Sequence, residues 1–507
     1  MIDLSRCKFP PFQHQIVGIE KLIEQPVFAL FDEMGSGKTF QIITAAQILF
    51  EREIIDRVLV VAPASVRSVW FDSDFGEIKK HLWDNFSACI LELHAKPRVW
   101  GDLKKDHKRL LFMITNFEYI RAKNRLLEIL PLCSSKTWLV IDESSAVKNY
   151  KAHQTVACLK IRKVCGRVTI LNGTPVANNP GDLFSQSNIM SPDILGCKNW
   201  FHFRARYGIM GGWMSKQIVA WRDIEDLQNK LAPYILRRLK SDCLDLPPKL
   251  DSVVMMVPMT THTWNTYYKP MRDEMISWLS ETSVSSASQA IVKVIRLAQI
   301  TSGFLGGVEE MNLDEVDPDN LVPAVRTPIP VQEIGREKLD FFHSWYNERL
   351  EEDPKFKCIV FCNFRPELAR LMLEIEKLHP EVCTGEIRGG QKRDERNIAL
   401  RLLDPLTTPN ESVLVGATPG AGSLGLNLTA ANYMIRLSNN FSLMKRLQGD
   451  DRIHRPGQIR TSNYFDIVAT GPAGQKTIDH TIVKALKGKL ELANFTTSAW
   501  VNALQEE

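Results

Sequence analysis

The stretch that most restricts the fold of this chain is FDEMGSGKTF, residues 31–40. An apolar run, PVFALF, leads into it, and a segment of helical periodicity, QIITAAQILFERE, follows it. A glycine-rich turn between a buried strand and a helix lets backbone N–H groups point inward and adds the favourable dipole of the helix N-terminus. The second half matches the phosphate-loop template G-x-x-x-x-G-K-[ST], but Asp32 stands where the first glycine belongs. The stretch therefore predicts a nucleotide site with an irregular, acidic opening.

Strand-like apolar runs alternate with segments of helical periodicity in both halves of the chain, a pattern typical of parallel sheets. The runs in the first half are PVFALF, VLVVAP, CILEL, LLFMIT, TWLVID and VTILNGTP. The pattern resumes near residue 356 with KCIVFCNF, EIRGG, SVLVGATPG, NYMIRLS and NYFDIVA. Between the two blocks the sequence is first helical and aromatic-rich and then serine-rich and acidic. We therefore predict an α/β fold: two doubly wound parallel-sheet lobes with helical insertions at their junction.

The predicted domains follow this division. Residues 1–245 form the first lobe and include a helical insertion at about 184–235. Residues 246–345 form a helical protrusion and a flexible linker. Residues 346–507 form the second lobe, with a C-terminal helix. A chain of 507 residues is too long for one hydrophobic core, which agrees with more than one domain.

Composition and charge restrict the class of protein. The net charge is only +4, which neither requires nor opposes nucleic-acid binding. No apolar run approaches the ~20 residues of a membrane span, and the start MIDLSRCKF has no signal or transit character. The ten cysteines include no C-x-x-C pair, which predicts reduced, structural thiols in a cytosolic protein rather than a zinc site. Cys358 and Cys362, in KCIVFCNF, are predicted to be buried on one face of a strand.

A second acidic feature completes the nucleotide site. TWLVIDESS delivers Asp142 and Glu143 to the carboxyl end of a strand, where ligands bind in sheets of this kind. We predict that Lys38 reaches the β- and γ-phosphates, and that the Thr39 hydroxyl and Asp142 hold Mg²⁺. Glu143 is suited to orient and deprotonate the attacking water. A strand that ends in Asp-Glu is common by itself, but paired with G-S-G-K-T it predicts hydrolysis of a nucleoside triphosphate.

A pair of arginines near the end of the second lobe adds a further part. In QGDDRIHRPGQ, residues 448–458, Arg452 and Arg455 are three positions apart and would share one face of a helix. Guanidinium groups commonly stabilise the charge on a transferring phosphoryl group. A bare R-x-x-R is more often a solvated basic turn, so this interpretation depends on the rest of the pattern.

Taken in order, D-E-M-G-S-G-K-T, D-E-S-S and Q-x-x-D-R-x-H-R-x-G-Q resemble motifs I, II and VI of the superfamily 2 helicases. More narrowly, they resemble the motifs of Swi/Snf-type ATP-dependent DNA translocases, a family in which an acidic pair opens motif I. The resemblance covers nearly the whole chain. The other segments similar to those of the family are PFQHQIVGIEKL, VLVVAPASVRSVW, ITNFEY, LNGTP, YILRRLKSDCLDLPPKL, IVFCNF and GSLGLNLTAAN.

The resemblance implies two RecA-like lobes that hold ATP and Mg²⁺ between them, and a DNA-dependent ATPase or DNA helicase activity. The catalytic residues that it implies are Lys38, Glu143, Arg452 and Arg455, with Thr39 and Asp142 on the metal. The implied ATP-binding residues are Gln15, Gly35, Ser36, Gly37, Lys38, Thr39 and Gly425. The implied DNA-binding residues, which would contact the backbone without reading base sequence, are Pro63, Ser65, Arg67, Thr115, Asn116, Asn363 and Arg365. For Ser65 or Asn363 taken singly, a capping role explains the residue equally well.

The implied function is that of a DNA motor with no membrane association. We predict a compact bacterial or phage-like member that acts in the cytoplasm of the bacterium or the phage-infected host. Its predicted task is to remodel or unwind branched DNA, such as forks and Holliday-type junctions, by branch migration in replication, recombination or repair. The alternative is a duplex-DNA translocase that displaces bound proteins without separating strands.

Two further classes of protein are disfavoured. A nucleic-acid scaffold with a decayed ATPase would not need the charged residues that are present, and a small-molecule kinase would not need the second lobe. Aromatic side chains of the inserted region could stack on splayed bases or could equally form a packed core; they are Trp200, Phe201, Phe203, Tyr207, Trp213 and Trp221.

Overall fold

The computed structural model describes residues 2–64, 66–72, 76–94, 108–173, 180–211, 217–274, 287–307, 329–422 and 427–490. The chain divides into two compact units. Met1–Asp245 together with Lys489–Glu507 form the first unit, and Leu246–Gly488 form the second.

The first unit is built on a parallel sheet. Its described strands are β1 (Val27–Leu30), β2 (Arg57–Ala62), β3 (Ala88–Glu92), β4 (Leu110–Asn116), β5 (Thr137–Ile141), β6 (Arg167–Leu171), β7 (Gly208–Gly211), β8 (Gln217–Trp221) and β9 (Ile235–Leu236). The sheet has the order β3-β4-β2-β5-β6-β1-β9, and each neighbouring pair is parallel. Strands β7 and β8 form a separate antiparallel hairpin.

Helices cover both faces of this sheet. They are α1 (Gln13–Glu24), α2 (Lys38–Glu51), α3 (Arg67–Phe71), α4 (Glu77–His81), α5 (Phe117–Ile120), α6 (Lys123–Ile129), α7 (His153–Arg162), α8 (Asp182–Met190), α9 (Trp200–Tyr207), α10 (Ile224–Leu231) and α11 (Lys240–Cys243). Strand β2, RVLVVA, is buried along its whole length because side chains on both of its faces are covered. Leu59 and Val61 pack in one hydrophobic cluster, and Val58 and Val60 pack in the other.

The second unit repeats this architecture. Its described strands are β10 (Val253–Pro258), β11 (Phe304–Gly307), β12 (Ile329–Glu333), β13 (Lys357–Phe361), β14 (Cys383–Ile387), β15 (Val413–Ala417), β16 (Tyr433–Arg436) and β17 (Asn463–Thr470). The parallel sheet has the order β10-β17-β16-β13-β15-β14, and β11 and β12 form an antiparallel pair. The helices are α12 (Thr261–Thr263, continued by a π-helical turn, Trp264–Tyr268), α13 (Ala287–Thr301), α14 (Glu337–Glu352), α15 (Arg365–Leu378), α16 (Arg393–Leu403), α17 (Pro419–Gly422), α18 (Leu443–Asp450) and α19 (478–490).

Two parallel sheets with helices on both faces confirm the predicted α/β fold class. Alternate side chains of β13 pack on opposite faces of the second sheet. Cys358 and Val360 lie in one hydrophobic cluster, and Ile359 and Phe361 lie in the other. Cys358 and Cys362 are both fully buried in the same cluster, as their strand position predicted.

The regions predicted to be helical also contain strands. Strand β10 lies within 246–345, yet it pairs with β17 over six residues, from Val253 to Pro258, and forms an edge of the second sheet. The range 184–235 contains the β7–β8 hairpin besides its helices. Pairing with a strand some two hundred positions away is a non-local contact, and local periodicity does not carry that information.

The aromatic side chains of 184–235 form part of the first core. Phe203 is fully buried, and its ring lies 5.5 Å from that of Trp200, 4.9 Å from that of Tyr207 and 6.2 Å from that of Trp221. Phe201, by contrast, is 61% exposed. Trp213 lies outside the described residues. The packed-core explanation therefore applies to four of these side chains.

The structure also bears on membrane association. In the described ranges, no helix combines the length and the apolar character that crossing a bilayer requires.

Candidate functional site

The phosphate loop lies at the carboxyl edge of the first sheet, between the end of β1 and the start of α2. Gly35 and Gly37 have φ angles of +78° and +82°, a left-handed conformation that costs glycine little. A Cβ atom on Gly37 would lie 2.3 Å from Nε2 of Gln15. Gln15 Nε2 donates to the Ser36 carbonyl at 3.1 Å, and an imidazole nitrogen of His14 lies 2.9 Å from the same oxygen. The predicted ATP-binding residues Gln15, Ser36 and Gly37 are therefore in mutual contact.

Lys38 is the first residue of α2 and points back over the loop. Its Nζ donates to the carbonyl of Asp32 at 2.7 Å and to the carbonyl of Glu33 at 3.1 Å. Burial lowers the pKa of Lys38, while the negative charges of Glu143, Asp32 and Asp142 oppose that shift. The ammonium group and both predicted carboxylates therefore share one electrostatic site.

Asp142 and Glu143 follow β5 at the same edge of the sheet. Asp142 Oδ2 accepts a hydrogen bond from Trp70 Nε1 at 2.9 Å, and its Oδ1 accepts one from the Glu143 backbone N–H at 3.0 Å. Burial raises the pKa of Asp142, and the bond from Trp70 and the charge of Lys38 counteract it. Trp70 is a site residue that the sequence did not reveal, although it ends the segment VLVVAPASVRSVW that resembles a family motif.

The backbone of Glu143 is in an unusual conformation. Its φ is +53°, in the left-handed region that a residue with a Cβ rarely occupies. A short 3₁₀ turn follows, and its first side chain, Ser144, donates to Gln186 Oε1 at 2.6 Å and accepts from Asn172 Nδ2 at 3.4 Å. Strained residues of this kind cluster at functional sites because the surrounding contacts hold them there.

The acidic opening of the loop has a structural explanation. Asp32 is fully buried, and both of its carboxylate oxygens accept hydrogen bonds from the guanidinium of Arg238, at 2.9 Å from Nε and 2.5 Å from NH2. Glu33 Oε2 accepts the backbone N–H of Lys240 at 2.8 Å. The pair Asp32-Glu33 therefore binds the segment after β9. Arg238 was missed at the sequence level because its partner lies 206 positions away.

The residues present suit a magnesium ion. The Thr39 hydroxyl and the Asp142 carboxylate are hard oxygen donors, and Mg²⁺ is usually bound by one or two such protein groups together with water and substrate phosphates. Throughout the described ranges there is no cluster of three or more His, Cys, Asp or Glu side chains that could hold a metal. This donor set therefore fits an ion that arrives with a nucleotide better than one held by protein alone.

The two predicted catalytic arginines lie in the second unit. Helix α18 ends at Asp450, and Arg452 and Arg455 follow it in turns, so they do not share a helix face as their spacing suggested. The backbone of this segment is nevertheless held firmly. The Arg452 carbonyl accepts the Leu428 N–H at 3.1 Å, and the Arg455 carbonyl accepts the Gln458 N–H at 3.0 Å. Gly425, another predicted ATP contact, lies outside the described residues.

A buried charge network surrounds the end of α18. Asp450 pairs with Arg436 and, at 3.2 Å, with Lys249. Asp466 accepts two bonds from Arg446, at 2.9 and 2.6 Å. These positive charges hold the pKa of both aspartates below its usual range, against the opposing effect of burial.

The predicted DNA contacts of the first unit also follow strand ends. Pro63 follows β2, and Arg67 begins α3 with its guanidinium 2.9 Å from Glu92 Oε1. Thr115 and Asn116 end β4; Thr115 is fully buried, and Asn116 Oδ1 caps α5 by accepting the Tyr119 N–H at 2.7 Å. Ser65 lies outside the described residues. The structure thus assigns Asn116 an evident capping role, and its DNA contact stays a prediction.

The two DNA candidates of the second unit lie at the end of β13 and the start of α15: Asn363 follows the strand, and Arg365 is the first residue of the helix. The Asn363 N–H donates to Ser438 Oγ at 2.8 Å, and its side-chain oxygen accepts from Asn440 Nδ2 at 3.3 Å. Arg365 is exposed and donates to the Gly389 carbonyl at 2.9 Å. An exposed guanidinium at the start of a helix is well placed for a phosphate.

Family profiles match both units of the chain. The SNF2-related domain matches residues 23–302, more than half of the chain, and the helicase conserved C-terminal domain matches residues 338–457. The chain belongs to the SNF2 family. The family resemblance predicted from the motifs is thereby confirmed.

Relatives of this SNF2-family chain align with nearly all of it. It is 24% identical to the TATA-binding protein-associated factor MOT1 of Saccharomyces cerevisiae, over 92% of the chain and 26% of that protein. It is 26% identical to the ATP-dependent DNA helicase DDM1 of Arabidopsis thaliana, over 91% of the chain and 58% of that protein. The chain thus spans about a quarter of the length of the yeast relative and somewhat more than half of that of the Arabidopsis relative. Among solved structures, the SWI2/SNF2 ATPase core of Sulfolobus solfataricus in complex with dsDNA is 21% identical, with a TM-score of 0.42 and coverage of 100% of this chain and 97% of that one.

Proposed function

We propose that this SNF2-family chain hydrolyses ATP and uses the energy to move along DNA. The observation that carries the proposal is the meeting of Lys38, Asp142 and Glu143 at the carboxyl edge of the first sheet, beside the glycine turn of the phosphate loop. The relative named as an ATP-dependent DNA helicase supports it.

The residues of the first unit have different roles in ATP hydrolysis. The backbone N–H groups of the loop and Lys38 bind the β- and γ-phosphates. Thr39 and Asp142 hold Mg²⁺, which when bound neutralises charge on the phosphate oxygens. Glu143 orients the attacking water and accepts its proton. Gln15, whose Nε2 donates to the Ser36 carbonyl, is proposed to read the base.

Arg452 and Arg455 of the second unit are proposed to stabilise the negative charge of the transferring phosphoryl group. Guanidinium groups in this role contribute about 10³–10⁵ to the rate in related phosphoryl transfers. The turn that carries them is fixed by backbone bonds to Leu428 and Gln458. A fixed backbone fits this role, because transition-state stabilisation depends on preorganised donors.

DNA is the proposed partner, bound through its phosphates. The candidates are Pro63, Arg67, Thr115, Asn116, Asn363 and Arg365, together with Ser65 from the sequence prediction. Contacts to the phosphate backbone carry no base information, which suits a motor that steps along any sequence. The relative named as an ATP-dependent DNA helicase supports this choice of partner.

The test is ATP turnover by the full chain with and without duplex DNA. We expect DNA to stimulate turnover, and Lys38→Ala to abolish it, because the ammonium that binds the phosphates is lost. Turnover that DNA does not change would favour a small-molecule phosphotransferase. Turnover that survives Lys38→Ala would place the site elsewhere.

Two DNA tasks are supported by different relatives. The name ATP-dependent DNA helicase of the Arabidopsis relative supports strand separation, and we keep remodelling of forks and Holliday-type junctions as the first task. The name of the yeast relative, TATA-binding protein-associated factor, links that relative to a DNA-binding protein. It is compatible with the alternative task, in which a duplex-DNA translocase displaces bound proteins without separating strands. Phe203 and Tyr207 are fully buried, which leaves no surface of theirs to act as a wedge for junctions.

One panel of substrates separates the two tasks. It contains a synthetic fork, a four-way junction, a blunt duplex and a blunt duplex carrying a tightly bound protein. Conversion of the fork and the junction in an ATP-dependent way supports the branched-DNA task. Release of the bound protein without any conversion of branched DNA supports the alternative.

A further inference from the structure

The pair of Asp32 and Arg238 joins two distant parts of the first unit. Asp32 opens the phosphate loop after β1, and Arg238 follows β9, the last strand of the sheet. The two segments run side by side beyond the named strands, because the Phe31 N–H donates to the Leu236 carbonyl at 2.8 Å and the Glu33 N–H donates to the Arg238 carbonyl at 2.9 Å. The backbone of the loop is thus paired with the segment that carries Arg238.

The guanidinium of Arg238 also reaches a third element. Besides its two bonds to the Asp32 carboxylate, its NH1 donates to the His14 carbonyl in α1. One planar group therefore holds the start of the phosphate loop and the helix that carries Gln15. Lysine keeps the charge but cannot reproduce this fork of three bonds.

The two nucleotide-binding side chains depend on these contacts. Lys38 donates to the carbonyl of Asp32, so the position of Asp32 affects where the ammonium lies. Gln15 is next to His14, and both side chains contact the Ser36 carbonyl. Moving Asp32 relative to His14 would therefore move Lys38 relative to Gln15.

Because Asp32 is buried, its position depends strongly on its ion pair with Arg238. The Asp32 side chain is 0% exposed and that of Arg238 is 16% exposed. A fully buried carboxylate needs a compensating charge and hydrogen bonds, so loss of the arginine would force Asp32 and its backbone to shift.

We infer that Arg238 is a positioning residue for nucleotide binding, which holds the phosphate loop and α1 together so that Lys38 and Gln15 meet the same nucleotide. This inference rests on the proposed function, since it assumes that ATP binds this loop. The inference assigns a role to the irregular acidic opening of the motif. Through Asp32, the phosphate loop is bound to Arg238, which follows the last strand of the sheet.

The experiment compares Arg238→Lys with a matched control, Arg57→Lys. Arg57 forms a similar buried, two-bond pair with Asp56, at 2.8 and 2.9 Å, and donates to the Leu132 carbonyl at 2.8 Å, but it lies at the amino end of β2. Binding of a fluorescent ATP analogue with Mg²⁺, KM and kcat for ATP with DNA, and the Tm of each variant are measured.

We expect Arg238→Lys to raise Kd and KM by about tenfold, while kcat stays within about threefold of the unmodified chain. Arg57→Lys should leave Kd and KM within about twofold, although both variants lower Tm. Asp32→Asn should raise Kd as well. The double variant should bind the analogue no more weakly than the weaker-binding of the two single variants, because both changes disrupt the same Asp32–Arg238 pair.

Three results overturn the inference. One is a Kd for Arg238→Lys that matches that of Arg57→Lys at a similar loss of Tm. Another is additivity of the Arg238→Lys and Asp32→Asn effects. A third is an unmodified chain that binds no ATP analogue. If the unmodified chain binds the analogue but DNA does not stimulate turnover, the proposed function fails while the binding measurements still decide the role of Arg238. If Arg238→Lys does not fold, Asp32→Asn alone decides it.

Discussion

Glu143 combines a strained backbone with a position beside Lys38 and Asp142. Its φ of +53° is maintained by the buried bonds of Ser144 to Gln186 and Asn172. A side chain held in a costly conformation at the carboxyl edge of a sheet is suited to one orientation only, which is what a general base requires.

Replacing this carboxylate should separate binding from chemistry. We expect Glu143→Gln to lower kcat by about 10²–10⁴, the usual contribution of a general base, because the amide cannot accept the proton. Binding of an ATP analogue should remain within about threefold, since the amide keeps the shape of the side chain. Stopped-flow or steady-state ATPase measurements and equilibrium titrations check both parts. An unchanged kcat would mean that a base other than Glu143 deprotonates the attacking water.

Glu367 is a buried carboxyl group of the second unit whose protonation changes near neutral pH. It lies on α15, is 6% exposed and accepts a bond from Ser438 Oγ. Burial raises its pKa to about 7, against the opposing charge of Lys338 and the bond from Ser438. Because the folded pKa exceeds the unfolded one, its contribution to stability is complete below about pH 4.5 and is lost as the pH rises through about 7.

The variant Glu367→Gln should remove this dependence. The pKa shift of Glu367 corresponds to about 3 kcal/mol of stability. Between about pH 4.5 and pH 7, the unfolding free energy of the second unit with Glu367 should therefore fall relative to that of the variant. Above about pH 8 the two curves should run parallel. Denaturant unfolding at a series of pH values measures the difference. Parallel curves over the whole range would contradict the assignment.

Among the elements, the phosphate loop depends most on one glycine. Gly37 has φ +82°, and an added Cβ would lie 2.3 Å from Gln15 Nε2. We expect Gly37→Ala to weaken binding of an ATP analogue at least about tenfold, because both the turn and the Gln15 contact are disturbed. Gly196→Ala is the control, since Gly196 also has positive φ, +62°, but has nothing within 4 Å of the added Cβ. That control should cost only about 1 kcal/mol of stability and no affinity.

Helix α9 illustrates how one element can have two faces with different roles. Phe203 is 0% exposed and lies inside the aromatic cluster, whereas Phe201, two positions earlier, is 61% exposed. We expect Phe203→Ala to destabilise the first unit by about 3–5 kcal/mol through loss of packing. Phe201→Ala should change stability by no more than about 0.5 kcal/mol. Calorimetric unfolding of the two variants measures this; equal effects would mean that α9 packs differently.

At the scale of the whole molecule, the proposed function makes DNA affinity an electrostatic quantity. A protein that binds phosphates loses affinity linearly in log salt, with a slope of about −0.9 per phosphate neutralised on duplex DNA. Duplexes of unrelated sequence should bind with equal Kd, because backbone contacts read no bases.

Arg365 offers the most direct test of this expectation. It is exposed and held to the Gly389 carbonyl, so Arg365→Ala should weaken binding of all duplexes equally and reduce the salt slope by about one. Arg349→Ala is a suitable control, because Arg349 lies on α14 and pairs with Glu352 at 2.8 Å. Fluorescence anisotropy at several salt concentrations gives both slopes. A loss of affinity for one sequence only would indicate base reading.

Local patterns in the sequence determined much of the molecule. The apolar runs predicted most strands of both sheets, since a strand buried on both faces must be apolar along its length. The order of glycines, lysine and threonine predicted a glycine-rich turn between a strand and a helix. Gly35 and Gly37 have positive φ in that turn, a conformation that few other residues adopt at low cost. The aspartate and glutamate after β5 were likewise placed by a rule of sheet geometry, that ligands gather at carboxyl ends.

Only the tertiary structure decided the contacts between distant positions. Strand β10 became visible through its pairing with β17, and Arg452 and Arg455 proved to lie in turns after α18. Trp70 reaches Asp142 across 72 positions, and Arg238 reaches Asp32 across 206. Periodicity and turn chemistry act over a few residues, whereas the partner of a buried charge is chosen by how the sheet assembles. The same acidic residue that looked out of place in the phosphate loop is explained by that assembly.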